Sequence, residues 1–315
     1  MDVAENQPLV SIVVDNFNYG RFLRAAIDSA LAQTYSRLEV IAVDDGSTDN
    51  SREVISSYGA RVSAIFKPNG GHASAFNAGF HASHGSIVMF LDADDALLPN
   101  AVEEVVRAWR PGVAKVQFVL AHIDQNGRAL GTTVPYLPAL MPDGDIRASI
   151  LDAGGYVGVP TTGNAFARTV LDRIMPLQES NWRQAADTSL EIIAPFLGDV
   201  VSLRKTLGCY RIHESNHGML GDELDSRKLR VKIVIDLQRE WALSEFARRS
   251  GFTIPRNWTA REAAHLKYRL ASLRIDPAHH PLTDDRPMRL MLMGLRASWR
   301  NSGYNFRSRL FHTIW

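Results

Sequence analysis

Asp92, Asp94 and Asp95 stand in the segment FLDADDALLP, directly after the apolar run Ser86–Leu91, and Asp44 and Asp45 follow the apolar run Leu38–Val43. If both runs are parallel strands, four or five carboxylates converge on one rim of the sheet. Like charges so placed repel unless a cation lies among them. Hard divalent ions take oxygen ligands, and Mg²⁺ typically uses one or two carboxylates together with substrate phosphates. Side chains alternate along an extended segment, so Asp92 and Asp94 face one way and Ala93 the other. That spacing suits one carboxylate on a metal and its neighbour on metal, water or ribose. A lone Asp-x-Asp is more often a solvated turn. Two acidic clusters, each closing a strand of one sheet, are far less ordinary.

The elements that must position these residues alternate along the first two thirds of the chain. Val10–Val14, Leu38–Val43, Arg61–Phe66, Ser86–Leu91 and Lys115–Ile123 read as strands. Helical patterns lie between them at Phe22–Gln33, Ser51–Tyr58, Ala73–His81 and Asn100–Trp109, the last opened by Pro99. This order predicts an α/β, Rossmann-like, mostly parallel sheet with helices on both faces. Ligands of such sheets lie beyond the carboxyl ends of the strands. Leu130–Val159 is rich in Gly and Pro and predicts a long loop. Gly163–Arg168 and Val200–Ile212 read as further strands and Ala185–Phe196 as a helix. After about Gly221 the pattern becomes helical. Asp222–Arg249 carries Leu229, Ile233, Leu237, Trp241 and Leu243 near one stripe, and Thr259–Arg274 follows as a second helix. Residues 289–315 mix Arg with Met, Leu, Phe and Trp and contain no acid.

Composition bounds the function. The 315 residues are 45% hydrophobic and 22% charged, which argues for a folded globular chain of one or two domains. Thirty-five Lys and Arg against 34 Asp and Glu leave a net charge of +1, so wholesale binding to nucleic acid is not implied. Cys209 is the single cysteine, which excludes an intramolecular disulfide and a Cys-rich zinc site and suits a reducing cytoplasm. The sequence holds no apolar run long enough to span a bilayer, and MDVAENQPLV does not read as a secretory signal.

The segments VSIVVDNFN (Val10–Asn18), LEVIAVDDGSTD (Leu38–Asp49), NGGHASAFNAG (Asn69–Gly79), GSIVMFLDADDALLP (Gly85–Pro99) and YRIHESN (Tyr210–Asn216) follow one another in order. With these, residues 8–220 resemble the family-2 glycosyltransferases of GT-A fold. The resemblance implies inverting transfer from a nucleoside-diphosphate sugar with Mn²⁺ or Mg²⁺. It implies that Asp45 accepts a hydrogen bond from the donor base, commonly uracil, while Asp44 supports the turn or takes part beside it. It makes Asp94 the first metal ligand, Asp92 a ribose or second metal contact, and Asp95 an orienter of Asp94 or a sugar contact. His213 is implied beside the metal and diphosphate, with His217 a weaker candidate, and Arg211 beside phosphate. Asn16, Phe17, Asn18, Gly71, His72, Asn77 and Ala93 complete the nucleotide-sugar set, with Phe17 and Tyr19 as walls of the base pocket. Phe76 stands where many relatives carry Arg. Asp187 is the implied general base, although the Glu that often precedes it is replaced here by Ala186. A plain helix cap is its alternative role.

The expected organisation is a GT-A catalytic domain over 1–220 and a C-terminal helical extension over 221–315. Within the first, residues 8–125 form the nucleotide-sugar half and 126–220 the acceptor half. GGYVGVPTTGN (Gly154–Asn164) offers glycines and hydroxyls for an acceptor site. The Gln-x-x-Arg-Trp motif of processive synthases has no match, since Gln238-Arg239-Glu240-Trp241 has the wrong spacing. Transfer of one or a few sugars to a glycan or lipid-linked glycan is therefore expected. The basic, apolar segment 289–315 suits peripheral contact with the inner face of the cytoplasmic membrane. It also suits a helix packed on this chain or on a second copy in a homo-oligomer. Two other functions fit less of the sequence. A nucleotidyltransferase would show a Gly-rich phosphate loop that VVDNFNYGR lacks. A non-catalytic sugar-nucleotide-binding or scaffolding protein has no evident use for the Asp92/Asp94 pair.

Overall fold

The computed structural model of the chain describes residues 7–214 and 226–300. The expectations for Asn216, His217 and residues 301–315 lie outside the described residues. Two compact units are present, one of residues 1–145 and 157–214, the other of residues 146–156 and 215–315.

The first unit begins with β1 (Val10–Asn16), α1 (Gly20–Leu31), β2 (Leu38–Asp44), α2 (Ser51–Ser56), β3 (Ser63–Phe66), α3 (His72–Ala82) and β4 (Ile87–Asp92). β5 (Ala96–Leu97), α4 (Ala101–Ala108), β6 (Val113–Ile123) and β7 (Ala129–Val134) follow. In the second unit lie α5 (Arg147–Ala153), α8 (Ser226–Ser250), α9 (Ala263–Ile275) and α10 (Pro287–Arg300). Between them in sequence, β8 (Asn164–Ala167), α6 (Arg168–Ile174), α7 (Asp187–Ile193) and β9 (Asp199–Arg211) complete the first unit.

Among the described residues nine strands form one sheet in the order β3-β2-β1-β4-β8-β6-β9-β5, with β7 beside β6. β3, β2, β1 and β4 are parallel, so the ends of β1, β2 and β4 meet at one edge. There Asn16 is opposite Asp44, and Asp15 is opposite Asp92. Both faces of this half are covered. Ile12 and Val14 pack with Leu23, Ala26, Ile27 and Ala30, the apolar stripe of α1. Val13 faces the other way, against α3. A Cβ on Gly79 would come 2.2 Å from Val13 Cγ1, and Phe76 stacks on Phe90 with ring centroids 4.0 Å apart. Phe76 is thus a core residue, which accounts for an apolar side chain at that position.

Beyond β4 the directions mix. β8 is antiparallel to both β4 and β6, β9 is parallel to β6, and β5 and β7 are antiparallel edge pairs. Gly208 lets β5 approach β9, because a Cβ there would meet Ala96 O at 3.0 Å and Leu120 Cδ2 at 2.7 Å. The predicted loop over Leu130–Val159 contains real elements, β7 and α5. β7 reads ALGTTV and is largely exposed, so it lacks the apolar alternation that would reveal it. Its strand character comes from the β6 ladder.

In the second unit α8 buries Leu229, Ile233, Leu243 and Phe246, whereas Trp241, expected on that stripe, is 44% exposed. α9 and α10 share a core of Ala263, Leu266, Leu270, Leu290 and Ala297. Among the described residues, no helix is long and apolar enough to cross a membrane.

The contact of α3 on β1 leaves no room for a side chain at its closest point. Gly79→Ala is expected to destabilise the chain by about 1–3 kcal/mol, as overpacking does. Urea unfolding would show a lower midpoint, and an unchanged midpoint would mean that α3 can lift from the sheet at no cost.

Candidate active site

The β1 and β2 ends are latched together by side chains. Asn16 Nδ2 donates to Asp44 Oδ1 and to Ser47 Oγ, both at 3.1 Å. Asn18, at φ +59°, accepts the Thr48 N–H at its Oδ1 (2.7 Å), while its own N–H donates to Ser47 Oγ (2.8 Å). Asp44 is fully buried and also accepts from Arg52 Nε at 3.1 Å, the turn-supporting role expected of it. Phe17 projects from the same loop and is 45% exposed.

Asp45 is buried and already well occupied. Its oxygens accept from Lys67 Nζ at 2.5 Å, the Gly70 N–H at 3.0 Å and the Gly71 N–H at 2.7 Å. Gly71 takes φ +90°, and a Cβ on it would lie 2.7 Å from Arg183 Cα. Only a glycine fits that close backbone approach. Asn77 is bonded on both sides of its amide to the backbone of Leu177, at 2.9 and 2.8 Å. It anchors the chain before α7 onto α3.

The acidic loop after β4 is held by donors from two other elements. Thr162 Oγ1 donates to Asp95 Oδ2 at 2.7 Å, and the Arg211 N–H donates to Asp95 Oδ1 at 2.9 Å. Arg211 Nε donates to the Asp94 carbonyl at 2.7 Å, and its guanidinium also reaches the Asp124 carbonyl at 3.2 Å. His213 Nε2 lies 2.9 Å from Asp94 Oδ2, and the ring packs against Tyr19 and Phe22. Ala93 is buried, and its N–H donates to the Asp15 carbonyl at 3.2 Å. The end of β9 therefore clasps the Asp92–Asp95 turn.

The structure adds Asp15, which sequence reading passed over. Ligand atoms of Asp15, His72 and Asp92 lie within 4.8 Å of one another, and so do those of Asp92, Asp94 and Asp95. Asp15 Oδ1 is buried and has no hydrogen-bond partner among the described residues. Burial pushes the Asp15, Asp92 and Asp95 carboxyls well above the usual carboxylate range. After burial, the charges of Asp94 on Asp15, Asp15 on Asp92, and Asp94 on Asp95 act in the same direction. The signal available in the sequence was an acid closing the apolar run VSIVV, the same pattern that singled out Asp92.

Asp187 opens α7, preceded by Ala185 at φ +53°. Its charge acts on Asp15, Asp92 and Tyr210 and helps to raise all three. Lys115, fully buried on β6, feels both Asp187 and Glu191, although burial dominates and pushes its amine down to about 8. Most of the sequence-predicted residues thus gather around two clusters, Asp44/Asp45 with the Gly70–Gly71 turn and Asp92–Asp95 with Arg211 and His213, while Asn77 is taken up by Leu177 and Asp187 stands on α7. Oxygen donors with an unsatisfied buried carboxylate among them fit a hard divalent cation.

Crowded acids have a sign that can be measured. A carboxyl held above its ordinary value binds its proton more tightly in the folded state. Stability then falls as pH rises between the ordinary and the raised value. In EDTA at pH 7, Asp15→Asn is expected to raise the melting midpoint by about 2–4 °C, corresponding to about 1 kcal/mol. It should also lessen the gain on acidification. A lower midpoint would show that the Asp15 charge is needed by the fold.

The model of glycosyl transferase family 2 matches residues 11–172. An uncharacterized glycosyltransferase of Nostoc sp. is 38% identical over 216 residues, which are 67% of this chain and 66% of the relative. Chondroitin synthase of Pasteurella multocida is 48% identical over 99 residues, which are 30% of this chain and 10% of that one. The chain thus spans just under two thirds of the Nostoc relative and a small part of the synthase. In fold it resembles S. aureus TarS 1–349 in complex with UDP, with a TM-score of 0.53 and 14% identity over 97% of this chain and 89% of that one. The same TarS segment in complex with UDP-GlcNAc superposes equally well, at a TM-score of 0.53. The parallel β1–β4 half with its acidic loop is the GT-A arrangement, and the chain belongs to glycosyl transferase family 2.

Proposed function

We propose that this glycosyltransferase moves a sugar from a nucleoside-diphosphate sugar, a UDP-sugar, to a hydroxyl of a glycan or lipid-linked glycan, with inversion. The observation that carries the reading is the meeting of the β1, β2 and β4 ends at one edge, which brings Asp15 and Asp92 into register. The UDP and UDP-GlcNAc held by the similarly folded TarS support the choice of donor.

In this reading Asp92 and Asp94 hold Mn²⁺ or Mg²⁺, with His213 beside Asp94. The cation would neutralise the diphosphate as the glycosidic bond breaks, acting as a Lewis acid for the leaving group. Asp95 stays bonded to Thr162 and Arg211 and fixes the loop that carries Asp94. Asn16, Phe17, Asn18 and Asp45 form the base side, with Gly71 letting the backbone approach. A further acceptor position on the Asp45 carboxylate would take the N–H of the base. Asp187 takes the proton of the acceptor hydroxyl as that oxygen bonds to C1 of the sugar. The C1–oxygen bond to the diphosphate breaks on the opposite face, and the nucleoside diphosphate leaves. Residues 1–220 act as the catalytic domain. Exposed Met288, Leu292 and Trp299 on α10, with Arg289 and Arg296, support contact between the 221–315 extension and a membrane that carries the acceptor.

Calorimetry with UDP, GDP, CDP and dTDP, each with Mn²⁺ and with EDTA, tests the donor site. UDP is expected to bind only with metal, and Asp94→Ala to abolish that binding. Binding of UDP unaltered by EDTA and by Asp94→Ala would reject the cation site. Asp187→Asn is expected to lower turnover by about 10²–10⁴-fold, as loss of a general base does, with UDP affinity nearly unchanged. Full turnover in that variant would remove Asp187 from the reaction.

A further inference from the structure

His72 joins two parts of the site that the sequence holds more than a hundred residues apart. Its N–H donates to the Arg183 carbonyl at 3.0 Å, and the Ala73 N–H donates to the Trp182 carbonyl at 2.9 Å. Arg183 reaches back to the Gly70 carbonyl at 3.3 Å and to Asn69 Oδ1 at 2.8 Å. With Gly71 against Arg183, residues 69–73 and 182–186 form a backbone clasp.

The imidazole closes that clasp on the acidic edge. The Ala186 N–H donates to His72 Nδ1 at 3.1 Å. A backbone amide can only donate, so Nδ1 carries a lone pair. A neutral imidazole with its lone pair on Nδ1 has its proton on Nε2. Nε2 lies 3.4 Å from Asp15 Oδ2 and 4.0 Å from Asp92 Oδ1. A protonated nitrogen has no electron pair for a cation. The protonated Nε2 therefore faces Asp15 and Asp92 within electrostatic reach but out of hydrogen-bond alignment, although distance alone groups the ring with them as a ligand. Phe76 meets its ring edge-on at 4.3 Å and fixes the ring plane. Ala185, one residue before the bonded amide, holds φ +53°. A residue with a Cβ keeps that conformation only where its surroundings enforce it.

We propose that His72 is a positioning residue for the transfer reaction. Held as the Nε2–H tautomer, it spans from the Ala186 amide to Asp15 and Asp92, and so sets the place of Asp187 relative to the carboxylate edge. This rests on the reading of Asp187 as general base. It assigns His72 a task other than contact with the nucleotide.

Long-range ¹H–¹⁵N correlation on ¹⁵N-histidine-labelled protein reads the tautomer directly. The His72 signal, identified by its loss in His72→Gln, is expected to show a protonated Nε2 and a bare Nδ1 at pH 7. An Nδ1–H tautomer or an imidazolium would overturn the proposal. Amide exchange should quicken at least about tenfold over residues 183–190 in His72→Ala, as local opening does, with β1 and β2 unchanged. His72→Gln offers one acceptor and one donor and should restore exchange to within about threefold. No quickening in His72→Ala, or no rescue by Gln, would also overturn it. For release of UDP from UDP-GlcNAc, kcat should fall about 10–100-fold in His72→Ala, as for lost supporting contacts, while the Kd for UDP with Mn²⁺ stays within about threefold. A raised Kd with kcat unchanged would make His72 a nucleotide contact instead. If the wild type neither binds UDP nor releases it, the donor reading fails alone. The tautomer and exchange results then still decide the role of His72, and the wild-type spectrum and His72→Gln decide it if His72→Ala does not fold.

Discussion

Mutual repulsion among crowded, partly buried carboxylates is the constraint around which this site is built. Asp15, Asp92, Asp94 and Asp95 come together because two neighbouring parallel strands, β1 and β4, end side by side, and partial burial removes water that would screen them. Two neighbouring elements answer that charge with a donor, the Arg211 amide from β9 and Thr162 from the segment before β8, while α3 brings His72 Nε2 to 3.4 Å from Asp15 without hydrogen-bond alignment. What none of them supplies is a full compensating positive charge at Asp15, whose Oδ1 is left without a partner among the described residues. Such crowding costs stability that a bound cation would return.

The supporting bonds are short-range, but the chain segments they join are far apart in sequence. Asp95 meets Arg211 across 116 positions, and His72 meets Ala186 across 114. The first unit has to be largely assembled before the acidic loop acquires its shape. The glycines serve the same end. Gly71, Gly79 and Gly208 each stand where a Cβ would strike a neighbouring strand or segment. They let the site's framework close to a distance that side chains would prevent.

Much of this could be read from the residues in order. The apolar runs ending in Asp44 and Asp92 mark the strand ends, because a buried strand has no reason to stop in acids unless something lies beyond it. The fold class follows from the alternation of strands and helices. Strand direction does not, since periodicity is the same either way, so the antiparallel course of β8, expected as a strand over Gly163–Arg168, emerges only from pairing, as do β5 and β7 themselves. Asp15 was hidden for a related reason. In VVDNFN it looks like the first residue of a polar turn, and only its register opposite Asp92 places it with the other acids. His72 was legible as a polar residue at a helix start, but its tautomer depends on an amide 114 residues away. Asn77 likewise reads as part of the nucleotide-sugar set, but Leu177 occupies both ends of its amide.

The latch between the β1 and β2 loops has a consequence for how this site can diverge. Asn16, Asn18, Asp44, Ser47 and Thr48 are bonded to one another, so exchanging any of them disturbs several contacts at once. Phe17 stands in the middle of that network and is bound by none of those bonds. Drift at this position is cheap for folding and direct in its effect on the adjoining surface. A lineage of such chains can therefore reshape the surface at these strand ends through one side chain while the scaffold beneath it stays unchanged.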